Sequence, residues 1–223
     1  IQDPFALRAL PQVHGPLLDA LRTLDAMVTR LANAHAENPT YAGDGVVHHG
    51  GFHLAYLAQA LDAARLALAQ AAQLSLARLS MLCAPEVTGL PAFLADGRPG
   101  SSGVMVVEYV VASALAQLRT LATPAGLQTV ILSNGVEEDA SFAALAARQA
   151  LDAVASYRTV LAGELVAAVR CLRRKGLAPR PLRALLDACA DLDPSIADRD
   201  LTADLQRAEA LLLDTAIWRP TDV

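Results

Sequence analysis

The chain has 223 residues, enough for a sizeable core, and 54% of them are hydrophobic while only 4% are aromatic. That apolar content is mostly Ala, Leu and Val, which favours helices with close small-residue contacts over strands. A net charge of −5 with no basic stripe weighs against nucleic-acid binding, and three cysteines without C-x-x-C spacing point to buried, reduced thiols in a cytoplasmic protein.

Pro16 suits a first helical position, and Leu17, Leu21, Leu24, Val28 and Leu31 repeat at alternating spacings of four and three, so a helix is expected from there to about residue 36. Residues 37–51 contain Asn38-Pro39, Gly43, Gly45, Gly50 and Gly51 and read as a loop, long enough to mark a functional or interface segment. A second long helix is expected over 52–83, with Leu54, Leu57, Leu61, Leu68 and Leu79 on or near its apolar side and Pro85 beyond its end. After a loop-like stretch at 89–103, residues 104–122 form a very apolar helix whose run is broken by Glu108. No uninterrupted stretch of about 18 uncharged apolar residues occurs, so burial on all sides in the core of a bundle or oligomer is expected in place of a membrane span. A connection at 124–135 leads to a helix over 139–175. Arg170, Arg173, Arg174 and Lys175 close it as cations complementing the helix dipole, and Gly176 is a left-handed cap. Shorter helices over 181–190 and 201–218 complete an all-α chain with strands nearly absent. No tandem repeat, low-complexity tract or second-domain boundary is visible.

Four ordered blocks carry a family resemblance. They are Gln2-Asp3-Pro4-Phe5-Ala6-Leu7-Arg8 running on to Pro11-Gln12-Val13-His14-Gly15, then Gly50-Gly51-Phe52-His53, then Gly89-Leu90-Pro91-Ala92-Phe93-Leu94 with Ser101-Ser102-Gly103-Val104-Met105, and last Ser133-Asn134-Gly135-Val136-Glu137-Glu138-Asp139-Ala140-Ser141-Phe142. Together they resemble the aromatic amino acid lyases, the family of histidine, phenylalanine and tyrosine ammonia-lyases and the related aminomutases. The resemblance implies the C-terminal helical half of such an enzyme over residues 1–223. Its long, roughly parallel helices would form the central bundle of a homotetramer. It also implies a methylidene-imidazolone cofactor, made autocatalytically by cyclising an Ala-Ser-Gly that lies in the preceding half, and no metal. No Ala-Ser-Gly occurs here; Ser101-Ser102-Gly103 is a variant whose neighbours place it in the later block. The N-terminal half is expected from the same gene product or from a partner chain.

Eliminating ammonia from an α-amino acid requires an anchored carboxylate, an amine made into a leaving group, and removal of a weakly acidic proton from the neighbouring carbon. Arg8 matches the family's carboxylate-binding arginine, whose planar fork suits two parallel hydrogen bonds; alone, it would pass for an ordinary surface arginine. Gln2 matches a polar residue near the substrate, and Phe52 a phenylalanine lining the site. Phe5 stands where the family has a tyrosine that takes part in proton handling, and a phenyl ring has neither donor nor acceptor. Gly51 replaces Asn. Glu137 falls on the family's Glu, either as a contact for a polar side chain or as a proton-handling group tuned by burial. Val136 replaces Gln, Glu138 adjoins, and Asp139 replaces His, while Ser101 and Glu108 also depart from the pattern. The alternative for the acidic trio is helix-start chemistry, favoured by the dipole whatever the function. His48, His49 and His53 lack a Cys or carboxylate at ligand spacing and read as loop and interface residues.

The expected function is elimination of ammonia from an aromatic or polar α-amino acid. The alternatives are a 2,3-aminomutase of specialised metabolism and a catalytically impaired helical scaffold or partner subunit of the same fold. The expected partners are the amino-acid substrate, the N-terminal half and further copies of the chain, with no nucleic acid and no membrane.

Overall fold

A computed structural model describes residues 2–128, 130–215, 217 and 218. A single turn, α1 (Phe5–Arg8), precedes α2 (Leu10–Ala32). The second helix starts at Leu10 and not at Pro16, because Pro11 sits in a first turn where its missing N–H forfeits no intrahelical bond; Pro16 is carried inside. Leu17 is buried and Leu24 packs into a core cluster, but Leu21 and Val28 on the expected stripe are exposed.

The loop expected over 37–51 contains a small antiparallel hairpin, β1 (Thr40–Ala42) with β2 (Gly45–Val47), turned through Gly43 at φ +61°. Helix α3 (Ala55–Cys83) follows, then α4 (Pro85–Thr88), which Gly89 ends in the left-handed conformation. A 3-10 turn (Ala92–Leu94) leads to α5 (Met105–Leu121), and two more 3-10 turns, Ala125–Leu127 and Ser133–Gly135, lead to α6 (Ala143–Arg174). A last 3-10 turn (Arg180–Leu182), α7 (Arg183–Ala188) and α8 (Thr202–Leu213) finish the described chain.

Helix α6 starts later than its acidic run suggested. Phe142 at φ 49° interrupts helical geometry before Ala143, so Glu137, Glu138 and Asp139 lie outside the first turn and dipole chemistry does not explain them. Its end follows expectation: Gly176 at φ 62° donates to the Arg173 carbonyl at 3.1 Å while Leu177 N–H reaches back to Leu172 at 2.9 Å, the paired bonds of a Schellman cap.

Two compact units are built from these elements, one from residues 1–9, 72–117 and 155–223 and the other from 10–71 and 118–154. One boundary falls between α1 and α2 and the others inside α3, α5 and α6, where no linker composition marks them. In the second unit, Ala58, Leu61, Ala125, Ala143 and Ala146 form an Ala-rich core. Arg65 is fully buried there. It is held by Asp62, by the Gln149 side chain and by the Leu121 carbonyl at 2.8 Å, and Asp62 also accepts the Ala125 and Gly126 N–H groups at 3.1 and 3.0 Å. In the first unit, Val104, Val107, Val111 and Leu115 are buried at helical spacing. A side chain on Gly163 would run into Val111, so this glycine lets α5 and α6 approach closely.

Within this chain α5 buries one face, at Val107, Val111 and Leu115, while Val106 and Tyr109 are 51% and 68% exposed. With a few charges tolerated, α3 and the stretch Met105–Leu127 are long and apolar enough to cross a membrane. The buried Asp62–Arg65 network in the first half of α3 is the chemistry of a packed protein interior.

Candidate active site

The first group of candidate residues sits on and before α1. Phe5 and Arg8 are both exposed, and the Arg8 guanidinium carbon lies 4.5 Å from the Phe5 ring centre, a cation–π stack that presets the fork. Among the described residues no carboxylate pairs with Arg8, and Gln2 is likewise exposed. What fixes this turn is underneath it. Ala6 is buried, and its carbonyl accepts from Arg78 Nη1 at 3.3 Å. Arg78 is in turn forked onto Glu164, through Nε and through Nη2 at 2.9 Å, and Ser75 donates its hydroxyl to the same carboxylate. A charged pair on α3 and α6 therefore holds the backbone from which Arg8 and Phe5 project.

The second group lies in the other unit. Gly51 N–H donates to His49 Nδ1 at 2.9 Å, which leaves the ring proton on Nε2 for the Glu37 carbonyl at 2.6 Å; His49 N–H donates to Asn38 Oδ1 at 2.9 Å. Both ring nitrogens of His49 are thus engaged in shaping the loop. A Cβ at Gly51 would meet His49 Nδ1 at 2.8 Å and the His35 carbonyl at 2.9 Å, so this turn excludes any side chain there. The replacement of Asn by Gly is therefore a requirement of local geometry. Phe52, next in the chain, is exposed, and His53 faces Asp139 at 3.3 Å.

The acidic block is a tight, open loop. Ser133, Asn134 and Gly135 all have positive φ, and Leu132 pairs with Glu137 through Leu132 N–H to the Glu137 carbonyl at 2.9 Å and the reciprocal bond at 3.3 Å. Ser133 donates its hydroxyl to Glu137 Oε1 at 2.9 Å, which orients the carboxylate. Val136, Glu137 and Glu138 are exposed, so the burial expected to tune Glu137 is not provided by this chain.

Ser101-Ser102-Gly103 is spoken for. The Asp198 carboxylate accepts the Ser102 and Gly103 N–H groups, both at 2.8 Å, and the Ser101 hydroxyl at 3.0 Å; these bonds hold its carboxyl below the usual range. The Gly103 nitrogen that a cyclisation would need is one of those donors, so the tripeptide does not fit as a cofactor precursor. Asp198, Arg78 and Glu164 escaped sequence reasoning. The visible signal was a charge standing in an otherwise apolar helix, as with Arg78.

The sequence profile of the family described as aromatic amino acid lyase matches residues 1–191. The chain belongs to that family. Among relatives of this lyase-family chain, histidine ammonia-lyase of Geobacillus thermodenitrificans is 35% identical over 97% of the chain and 44% of its own length, and human histidine ammonia-lyase is 32% identical over 98% and 34%. In structure, histidine ammonia-lyase of Trypanosoma cruzi superposes with a TM-score of 0.91 at 27% identity over 97% of this chain and 44% of that one. Phenylalanine aminomutase of Pantoea agglomerans superposes at 0.89 and 26% identity over 95% and 43%. The all-α architecture is thus that of the helical ammonia-lyases, and the chain spans less than half the length of these relatives.

Proposed function

We propose that this chain serves an enzyme that eliminates ammonia from an α-amino acid, or moves the amine to the neighbouring carbon as a 2,3-aminomutase does. Family membership supports the reaction class. The observation that carries the residue assignment is the Arg8 fork, preset over Phe5, anchored from below through Ala6, and without a carboxylate partner among the described residues. It holds the substrate carboxylate through paired hydrogen bonds. Gln2 is assigned to the substrate's surroundings and Phe52 to an aromatic wall, each by its own match to the family pattern; Glu137, oriented by Ser133, handles protons or contacts a polar substrate side chain, and Val136 and Glu138 are its neighbours in that loop.

No residue of this chain fits as precursor of the methylidene-imidazolone, which would come from polypeptide outside these residues and supply the electrophile that activates the amine. Assembly as a homotetramer with that polypeptide is proposed on the exposed apolar positions of α2 and α5, among them Leu21, Val28, Val106 and Tyr109. Buried free thiols at Cys83, Cys171 and Cys189 support a cytoplasmic setting. The non-catalytic scaffold remains the second reading, favoured by the missing hydroxyl at Phe5.

The test is Arg8→Lys in the full-length protein, scored by ammonia release and β-amino acid formation on a panel of aromatic and polar amino acids. Keeping the charge but losing the fork, the variant is expected to lower kcat/KM about tenfold or more at unchanged stability. Unchanged kinetics would remove Arg8 from the site, and no turnover by the parent on any panel member would favour the scaffold.

A further inference from the structure

At its C-terminal end α6 borders a cavity of about 450 Å³, a size ordinarily used for small-molecule sites. Arg170, Arg173 and Arg174, spaced so that they share one helix face, line it from one side, and Arg199 lines it from the segment before α8. Asp193 and Asp204 are the acidic lining residues, and Arg199 engages both of them, Asp204 through two bonds of 2.6 and 2.9 Å and Asp193 at 3.3 Å. Four guanidiniums against two carboxylates leave the wall at +2.

The three arginines of α6 find no carboxylate partner among the described residues. They donate to backbone carbonyls: Arg170 to Leu94 at 3.0 Å and to Ser195 and Ile196, Arg173 to Leu192 and Cys189 at 2.6 and 2.7 Å, Arg174 to Ala95. Helix-end complementarity accounts for cations in this turn. It does not account for the cavity beside them, nor for cations crowded at a site where Arg170 is only 9% exposed. Burial, with Arg174 and Arg199 adding repulsion, pushes the Arg170 guanidinium down from its ordinary range against the smaller opposing pull of Asp198 and Asp204. The carbonyl bonds also leave each fork with unspent N–H donors in a fixed orientation.

We propose that this cavity is a binding site for a compact dianionic oxyanion, a phosphate ester or a dicarboxylate, held by Arg170, Arg173 and Arg174 with its apolar part against Val166 and Leu201. Oxyanion and guanidinium match in shape as well as charge. The ligand would bridge α6 to the 193–199 segment, whose Asp198 clamps the turn at Gly103. This site does not depend on the elimination chemistry proposed above.

The experiment is calorimetric titration of the full-length protein with phenyl phosphate and, separately, with succinate at constant ionic strength, repeated on Arg174→Gln. Expected is saturable binding of at least one probe, weakened about tenfold or more in the variant, as loss of a charge-assisted bond entails. A second measurement needs no variant: arginine-directed glyoxal labelling of the parent, read by mass spectrometry, should slow at Arg174 when that probe is present. Phenyl phosphate binding alone assigns the phosphate-ester class and succinate binding alone the dicarboxylate class. Absence of saturable binding of either probe up to about 10 mM overturns the proposal. So does binding that Arg174→Gln leaves unchanged, or labelling of Arg174 that neither probe slows.

Discussion

Gly103→Ala should be among the most damaging single-methyl additions available to this chain. The residue sits at φ 54°, where an alanine costs roughly 1–2 kcal/mol from its own backbone alone. Its added Cβ would also collide with the Phe93 carbonyl oxygen and lie 2.7 and 2.8 Å from the Ala95 N and Cα, all of them backbone atoms that cannot swing aside. Relief requires the turn to open, which strains the Val104 N–H bond to Phe93 at 2.9 Å and the Gly103 N–H bond to Asp198 at 2.8 Å. Losing the neutral Val104 bond costs about 1 kcal/mol, so with the backbone cost the total is at least about 2–3 kcal/mol, to which loss of the Asp198 bond adds. Gly135 provides the control: its φ is 84°, yet nothing lies within 4 Å of its Cβ position, so alanine there costs only the roughly 1–2 kcal/mol of conformation. Urea unfolding of the full-length protein and both variants reads the difference in midpoints at a common slope. If Gly135→Ala proves as destabilising as Gly103→Ala, the collision with the 93–95 backbone is not part of the stability of this turn.

Three further outcomes follow from the same geometry. Asp198 has its carboxyl held down in the folded chain, so its contribution is full above the unfolded value of about 4 and fades as pH falls through the lower folded value. Asp198→Asn should therefore be less stable than the parent at pH 7 and lose less on acidification to pH 3; identical pH profiles of the urea midpoint would contradict the clamp. Burial, with Glu108 adding to it, pushes the Cys83 thiol up to about 12, so iodoacetamide at pH 8 should label it only after unfolding. Labelling of the native protein at the rate of a free thiol would show that the α3 end is open. Phe5→Tyr adds a hydroxyl at a position 65% exposed in this chain, keeps the stack on Arg8, and is expected to raise elimination or shift the balance with amine migration; unchanged activity on every turned-over substrate would move proton handling to Glu137.

The long helices were readable because their evidence is local. Leucine spacing, Pro85 beyond Cys83 and Gly176 past Arg174 all act within a turn or two of the residues they govern, and α3, α5 and the end of α6 lie close to where those signals put them. The start of α2 was misplaced because Pro11 and Pro16 each satisfy the first-turn rule, and nothing within the turn itself says which one the helix uses. The start of α6 was misplaced because three acidic residues satisfy the dipole rule, whereas the deciding feature is the positive φ of Phe142, a conformation its residue type does not advertise. Long-range contacts were invisible altogether: Asp198 reaches back to Gly103 and Arg78 forward to Glu164, and no periodicity links such distant partners.

The two departures at the candidate site differ in what they imply, and only the structure separates them. At Gly51 the loop closes around the Cα, with the His49 ring and the His35 carbonyl occupying the space an asparagine would need. An asparagine there would require a different course for the loop around His49, so the glycine is tied to the shape of residues 35–51 and carries little information about catalysis. Phe5 is the opposite case. Its ring is 65% exposed, its backbone is helical, and Arg8 stacks on its face. Packing within the chain therefore does not explain the loss of the hydroxyl. Under the proposed function, whether proton transfer has been moved or abandoned is a question about this position, and Glu137, oriented by Ser133, is the second candidate for the role.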